Sequence, residues 1–228
     1  MSENTGTAKS VATSIVRLIF GIPIIGAMFF LPASTLDYWQ AWMWLGTLFI
    51  PMIFVLIYLA KNDPSLLERR SRLRETRSEQ KLIIVASTLY YLITFLLPGF
   101  DKHFGWSAVP AWACIAADVV MLAGYLLFFL VLKTNSYASR VVEVQQGQQV
   151  IATGPYALVR HPMYLAMILM MVFSPLALGS SWAMLFSLVL IFLLAARIKN
   201  EEELLLTELK GYREYTQKTR YRLFPGVW

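Results

Sequence analysis

Residues Val109 to Leu132 read VPAWACIAADVVMLAGYLLFFLVL, a run with one carboxyl group, Asp118, and no basic residue. As a helix it would be about 36 Å long, enough to cross a hydrocarbon core of about 30 Å. A helix on a soluble core shows one apolar stripe, whereas this one is apolar all round and suits a lipid surround. Working outward, five further apolar runs cover Ile15 to Leu31, Trp39 to Ala60, Leu82 to Leu97, Tyr164 to Leu178 and Trp182 to Ala196. The expected fold is all-α: a polytopic membrane helix bundle of about six hydrophobic helices. The last two runs are short, and the Gly179-Ser180-Ser181 turn between them predicts a hairpin that crosses only in part.

Composition agrees, with 57% hydrophobic and 15% charged residues against roughly 25% charged in an average soluble domain. The segment Met1 to Ser10 is polar and leads into an apolar run without a small-residue cleavage site, which reads as a retained first span. Trp39, Trp42, Trp44, Trp106 and Trp182 stand near run ends and predict an interfacial aromatic belt. The lone Cys114 excludes an intramolecular disulfide and reads as a small core residue. Lys61 to Lys81 holds Arg69, Arg70, Arg72, Arg74 and Arg77, which makes this loop cytoplasmic by the positive-inside rule. Counting spans from it puts both termini and the segment 133–161 on the same side. The loop is expected to rest on anionic lipid headgroups, which accounts for the net charge of +6. Nucleic acid is not an expected partner, because no aromatic interleaving accompanies the charge. The chain divides into a four-helix membrane portion, 1–132, and a portion 133–228 that holds the remaining polar information.

In that second portion GPYALVRHPMY, Gly154 to Tyr164, sets a turn, a cation and an imidazole against a helix start, with Pro162 suited to the first helical turn. The plain reading is a snorkelling Arg160 and an interfacial Tyr164 that anchor the helix end. The functional reading is a helix N-terminus that receives an anionic group. Farther on, Arg197-Ile198-Lys199-Asn200-Glu201-Glu202-Glu203 closes the last apolar run, and Arg197 and Glu201 share a helical face. A surface ion pair there would contribute little. Three glutamates beneath an anionic leaflet are, however, unfavourable unless paired or matched to a cationic ligand. Asp118 is expected to face the bundle interior, either paired or lining a substrate path. His103 reads as solvated in an outer loop; Met163, Met167, Met170 and Met171 read as packing. No metal site is expected.

These residues resemble the isoprenylcysteine carboxyl methyltransferase family, within the membrane methyltransferases that include the phospholipid N-methyltransferases. The resemblance runs from Asn135 to Pro225. It rests on Gly154-Pro155-Tyr156, Arg160-His161-Pro162 with Tyr164, the Arg197 to Glu201-Glu202 spacing with Leu205, Gly211-Tyr212 with Tyr215, and Arg222-Leu223-Phe224-Pro225. Ala166 stands where the family usually has Gly, and Leu209-Lys210-Gly211 replaces its Phe-Gly pair. The resemblance implies S-adenosylmethionine as cofactor, with Gln145, Gln148, Val150 and Ile151 lining its approach and Tyr156, His161, Pro162, Met163, Tyr164, Glu201 and Glu202 against it. Arg197 would hold the substrate, and Arg197 and Glu201 form the catalytic pair by position. The implied acceptor is a lipophilic carboxylate arriving from the bilayer. An amine acceptor, as in the phospholipid enzymes, would need a general base, for which Glu202 or Glu203 are the candidates. A transporter or assembly factor is the alternative of another class; a transporter calls for broken, polar helices at mid-membrane.

Overall fold

The computed structural model describes residues 2–71, 78–138 and 143–228, and every described regular element is helical. The order is α1 (Ser2–Ala33), α2 (Trp39–Asn62), α3 (Pro64–Ser71), α4 (Ser78–Phe104), α5 (Ala111–Thr134), α6 (Pro162–Ala177), α7 (Ser181–Ser187), α8 (Val189–Glu208) and α9 (Tyr212–Lys218). Four stretches are long and apolar enough to cross a membrane: Ser10–Ala33, Trp39–Asn62, Ala111–Thr134 and Ser181–Glu208. The run at 82–97 lies within α4. Large apolar side chains face outward all along these helices, Phe192 at 75% and Ile50 at 71% exposed among them. Such a surface would be an aggregation hazard in water and is ordinary against lipid. The protein is a polytopic membrane helix bundle.

The hairpin differs from expectation in its second limb. α6 has 16 residues and is about 24 Å long, short of the bilayer core. The returning limb runs from Ser181 to Glu208 with one interruption at Leu188. The apolar run ends near Ala196, but the helix continues through the polar residues 197–208 because their side chains find partners on α6 and the C-terminal segment. At the turn Gly179 takes φ of 80°, and the Ser180 hydroxyl caps the Ala183 N–H at 3.1 Å. Asp101 receives the Ser180 hydroxyl, and at 2.7 Å both the Ser107 hydroxyl and the Ser107 N–H, tying the end of α4 to this turn.

Two close approaches set the packing. A Cβ on Gly124 of α5 would lie 2.9 Å from Leu169 Cβ and Met170 Cγ of α6, and one on Gly99 of α4 would lie 2.6 Å from the Phe29 carbonyl of α1. Without a hydrophobic driving force between helices in lipid, such small-residue contacts carry the association. Trp39, Trp42, Trp106 and Trp182 are exposed at helix ends as a belt requires, but Trp44 is 0% exposed. Its ring packs edge-on against Phe29 at 5.1 Å and Phe95 at 5.4 Å, so it belongs to the core between α1, α2 and α4. His103 falls in the last turn of α4, its Nδ1 3.4 Å from the Ala33 carbonyl. Asp118 is buried on α5, facing Thr47 of α2.

Candidate functional site

The polar elements of the second portion converge at one end of the bundle, around an open cleft with a cavity volume of about 120 Å³. Its floor starts in the turn Gly154–Ala157. Gly154 takes φ of 58°, and a Cβ there would meet Thr134 Oγ1 at 3.0 Å, so the turn is pressed against the end of α5. Asn135, which caps α5, donates to the Tyr156 hydroxyl at 2.8 Å, and the Tyr215 hydroxyl of α9 donates to the Tyr156 carbonyl at 2.7 Å. Burial raises the pKa of the Tyr156 phenol, and of Tyr215 to about 12, so both remain hydrogen-bond donors at neutral pH.

Arg160 does not snorkel. It is buried, with Nε 2.6 Å from Glu202 Oε1 and Nη1 donating to the carbonyls of Thr219 at 3.0 Å and Arg220 at 2.6 Å. Its backbone N–H and that of His161 donate to the carbonyls of Tyr221 and Arg222, each at 2.9 Å, pinning the C-terminal segment alongside. Glu202, 5% exposed, receives His161 Nε2 on Oε1 at 3.2 Å and Arg222 Nε on Oε2 at 2.6 Å. Arg222 in turn lies over the Trp228 ring at 5.2 Å. A carboxylate between two guanidiniums satisfies the rule that a buried charge must be paired and hydrogen-bonded.

One helical turn nearer the membrane, Arg197 Nε donates to the Tyr164 hydroxyl at 3.0 Å, and that hydroxyl donates to Glu201 Oε2 at 2.5 Å. Tyr164 thus bridges the two residues that the sequence places on one face of α8. His161 is the N-cap of α6, with Pro162 at its first position.

The far wall is a self-braced loop. The Gln145 amide donates to the Tyr137 carbonyl at 2.9 Å, the Gln148 Oε1 accepts the Gln145 N–H at 2.9 Å, and the Tyr137 hydroxyl donates to the Gly147 carbonyl at 3.1 Å. Behind it stands α3. Arg69 donates to the Ser136 carbonyl at 2.6 Å, and Arg70 donates to the Ala138 carbonyl at 2.8 Å while lying 5.0 Å over Phe128. The guanidiniums of these two arginines thus brace the segment beside the cleft. Arg72, Arg74 and Arg77 lie outside the described residues.

Of the residues expected at a site, Gln148, Val150, Ile151, Tyr156, His161, Met163, Tyr164, Arg197 and Glu201 share the cleft wall. Three stand elsewhere. Gln145 spends its amide on the loop, Pro162 lines an apolar groove beside Leu127 and Leu130 of α5, and Glu202 lies behind His161 in its ion-pair network. Asp118 is not on the wall. Sequence reasoning assigned no role to Asn135, Tyr137, Tyr212 or Tyr215, which do line it. The two tyrosines at 212 and 215 were legible as one face of a short helix. The loop residues had no periodic signal. Tyr212 matters further, because its hydroxyl is buried with no partner among the described residues. Burial and the charges of Glu202 and Glu201 raise its pKa, so it stays an O–H with a hydrogen bond to give.

Comparison with known proteins bears on the family and the fold. The profile of the isoprenylcysteine carboxyl methyltransferase family matches residues 114–207, from within α5 to the penultimate residue of α8. The fold is similar to that of the eukaryotic intramembrane Ras methyltransferase ICMT (isoprenylcysteine carboxyl methyltransferase), solved without a monobody. The TM-score is 0.53 at 16% identity, over 95% of this chain and 86% of that one. No curated protein matches the chain in sequence.

Proposed function

We propose, from the match of residues 114–207 to the profile of the isoprenylcysteine carboxyl methyltransferase family, that this membrane protein is a methyltransferase that uses S-adenosylmethionine to esterify the carboxylate of a lipophilic, isoprenoid-bearing acceptor. The observation that carries the reading is the Arg197–Tyr164–Glu201 chain on the wall of a cleft whose neighbouring Tyr212 hydroxyl is buried and unsatisfied. The donor set fits the cofactor. Its aromatic walls suit an adenine, Glu201 suits a cationic sulfonium or ammonium, and the orphan Tyr212 O–H calls for an acceptor. When bound, the cofactor supplies an electrophilic methyl group on sulfur.

The chain's own residues then do the rest by placement. Arg197 grips the acceptor carboxylate and orients one oxygen, as guanidinium groups do through charge-assisted hydrogen bonds. Tyr164 holds Arg197 in register with Glu201, so that acceptor and methyl donor meet at a fixed spacing. An ionised carboxylate needs no deprotonation, and alignment within the cleft supplies most of the acceleration. Tyr156, Tyr212 and the braced loop at 145–148 exclude water from the reacting end.

An amine acceptor would require a free base. Glu202 is held between Arg160 and Arg222, and Glu203 is exposed and off the cleft wall. The carboxylate reading is therefore the better supported. The active site and both termini are proposed to face the cytoplasm, supported by Arg69 and Arg70 at the same end of the bundle as the cleft. Labelling of an introduced Ser136→Cys in sealed vesicles tests the orientation. Calorimetric titration of detergent-purified protein with S-adenosylmethionine and S-adenosylhomocysteine tests the cofactor, repeated on Glu201→Ala. Binding that weakens roughly tenfold or more in the variant is expected; no binding by folded protein overturns the reading.

A further inference from the structure

His161 is 4% exposed, and one ring nitrogen is already committed: Nε2 faces Glu202 Oε1 at 3.2 Å. A bare Nε2 lone pair would oppose a carboxylate oxygen at that distance, so Nε2 must carry the proton. A second proton, on Nδ1, would place a third cation around one carboxylate that already meets Arg160 Nε and Arg222 Nε, both at 2.6 Å. Oε1 already takes two of these contacts and Oε2 one, and among the described residues His161 forms an ion pair with no second carboxylate. The remaining nitrogen, Nδ1, belongs to a side chain on the cleft wall and is not among the buried atoms lacking a partner. It is open to the cleft.

We propose that Glu202 is a positioning residue that locks His161 as its Nε2–H tautomer, leaving Nδ1 as a fixed hydrogen-bond acceptor for a donor group of the cofactor. The inference rests on the methyltransferase reading for its ligand, though not for its tautomer. The chemistry of the ligand group is that of an N–H or O–H donor: the ammonium of the amino-acid end or a ribose hydroxyl. Glu202 accordingly acts on the cofactor through His161 without touching it, and the C-terminal segment acts through Arg222 on Glu202. The two guanidiniums and the carboxylate form a rigid mount whose product is the chemical identity of one nitrogen atom.

The chain has two histidines, His103 and His161, which makes a direct test practical. Protein carrying nitrogen-15 histidine is placed in lipid nanodiscs, and a His103→Gln variant assigns the signals. A protonated Nε2 and an unprotonated Nδ1 at His161 are expected. S-Adenosylhomocysteine should shift Nδ1 and leave Nε2 protonated. Methylthioadenosine, which lacks the amino-acid end, separates the sources: a shift with both ligands identifies the ribose, and a shift with S-adenosylhomocysteine alone identifies the ammonium. In calorimetry His161→Asn, whose oxygen falls near the Nδ1 position, should keep most of the affinity for S-adenosylhomocysteine. His161→Gln, whose amide falls near Nε2, should lose roughly tenfold to hundredfold. A protonated Nδ1 in the unliganded protein, an unmoved Nδ1 at saturating S-adenosylhomocysteine, or tighter binding by Gln than by Asn would each overturn the proposal. Absence of any S-adenosylhomocysteine binding would instead overturn the methyltransferase reading, with the tautomer still decided by the unliganded spectrum.

Discussion

The Tyr164 hydroxyl donates to Glu201 Oε2 at 2.5 Å, joining the first turn of α6 to the polar extension of α8. The Tyr164 hydroxyl oxygen accepts the Arg197 Nε–H at 3.0 Å, so one phenol relates the two charged residues of the cleft. Tyr164→Phe keeps the ring in its buried place and removes only this relation. The expected outcome is a fall in kcat of roughly tenfold, with the Kd for S-adenosylhomocysteine changed less than about threefold. Parallel turnover and calorimetric measurements check it; an equal loss in both would mean that Tyr164 acts as a cofactor ligand.

Arg197→Ala should abolish turnover, by roughly hundredfold or more, while cofactor binding stays mostly intact. A single-turnover methyl-transfer assay with a prenylated thiol acid, beside calorimetry on the same preparation, reads both quantities. Retained turnover would remove the carboxylate clamp from the mechanism.

Gly124 is expected to tolerate no larger side chain without repacking, since a Cβ there reaches within 2.9 Å of α6. Gly124→Ala should lower the thermal midpoint in detergent, by an amount corresponding to about 1–3 kcal/mol of overpacking. Gly124→Leu should fail to assemble. An unchanged midpoint for the alanine variant would show that α5 and α6 are free to separate.

Asp63 precedes Pro64 at the start of α3, and its Oδ1 accepts the Ser65 hydroxyl at 2.7 Å and the Leu66 N–H at 2.9 Å. Burial alone would raise its pKa, but these bonds, a further one from Ser136 and the Arg69 charge together outweigh it, and the net shift is downward. A depressed folded-state pKa means stability present above the unfolded value and lost as pH falls through the folded one. Asp63→Asn keeps the cap and cannot titrate. Thermal midpoints between pH 6 and about pH 3 should therefore fall less in the variant than in the wild type, by a small margin because the group is half exposed.

Much of this architecture was legible in the chain. Uniform apolarity at 109–132 is enough to specify a spanning helix, and Arg197 and Glu201 share a face by helical period alone. The order of motifs located the cleft. What stayed hidden was contact between distant segments. Nothing local distinguishes Arg160 as a buried strut from Arg160 as a snorkelling anchor, because its partners, Glu202 and the carbonyls of Thr219 and Arg220, are more than forty residues away. Trp44 looked like its neighbours in the belt for the same reason: the rings that bury it come from α1 and α4. The polar end of α8 lay beyond the apolar run that announced the helix. Hydropathy marks where lipid stops and carries no information on where hydrogen bonding does.

α6 is about 24 Å long against a core of about 30 Å, too short to reach both headgroup levels, and the proposed function puts the shortfall at its cleft end. Pulling a fifteen-carbon chain into water would cost on the order of 12 kcal/mol at about 0.8 kcal/mol per carbon. An acceptor that reaches a recessed floor leaves its hydrocarbon tail in oil and avoids that penalty altogether. Turnover should then follow the acceptor's mole fraction in the plane of the bilayer and be diluted by added lipid at constant bulk concentration, as for a reaction in two dimensions.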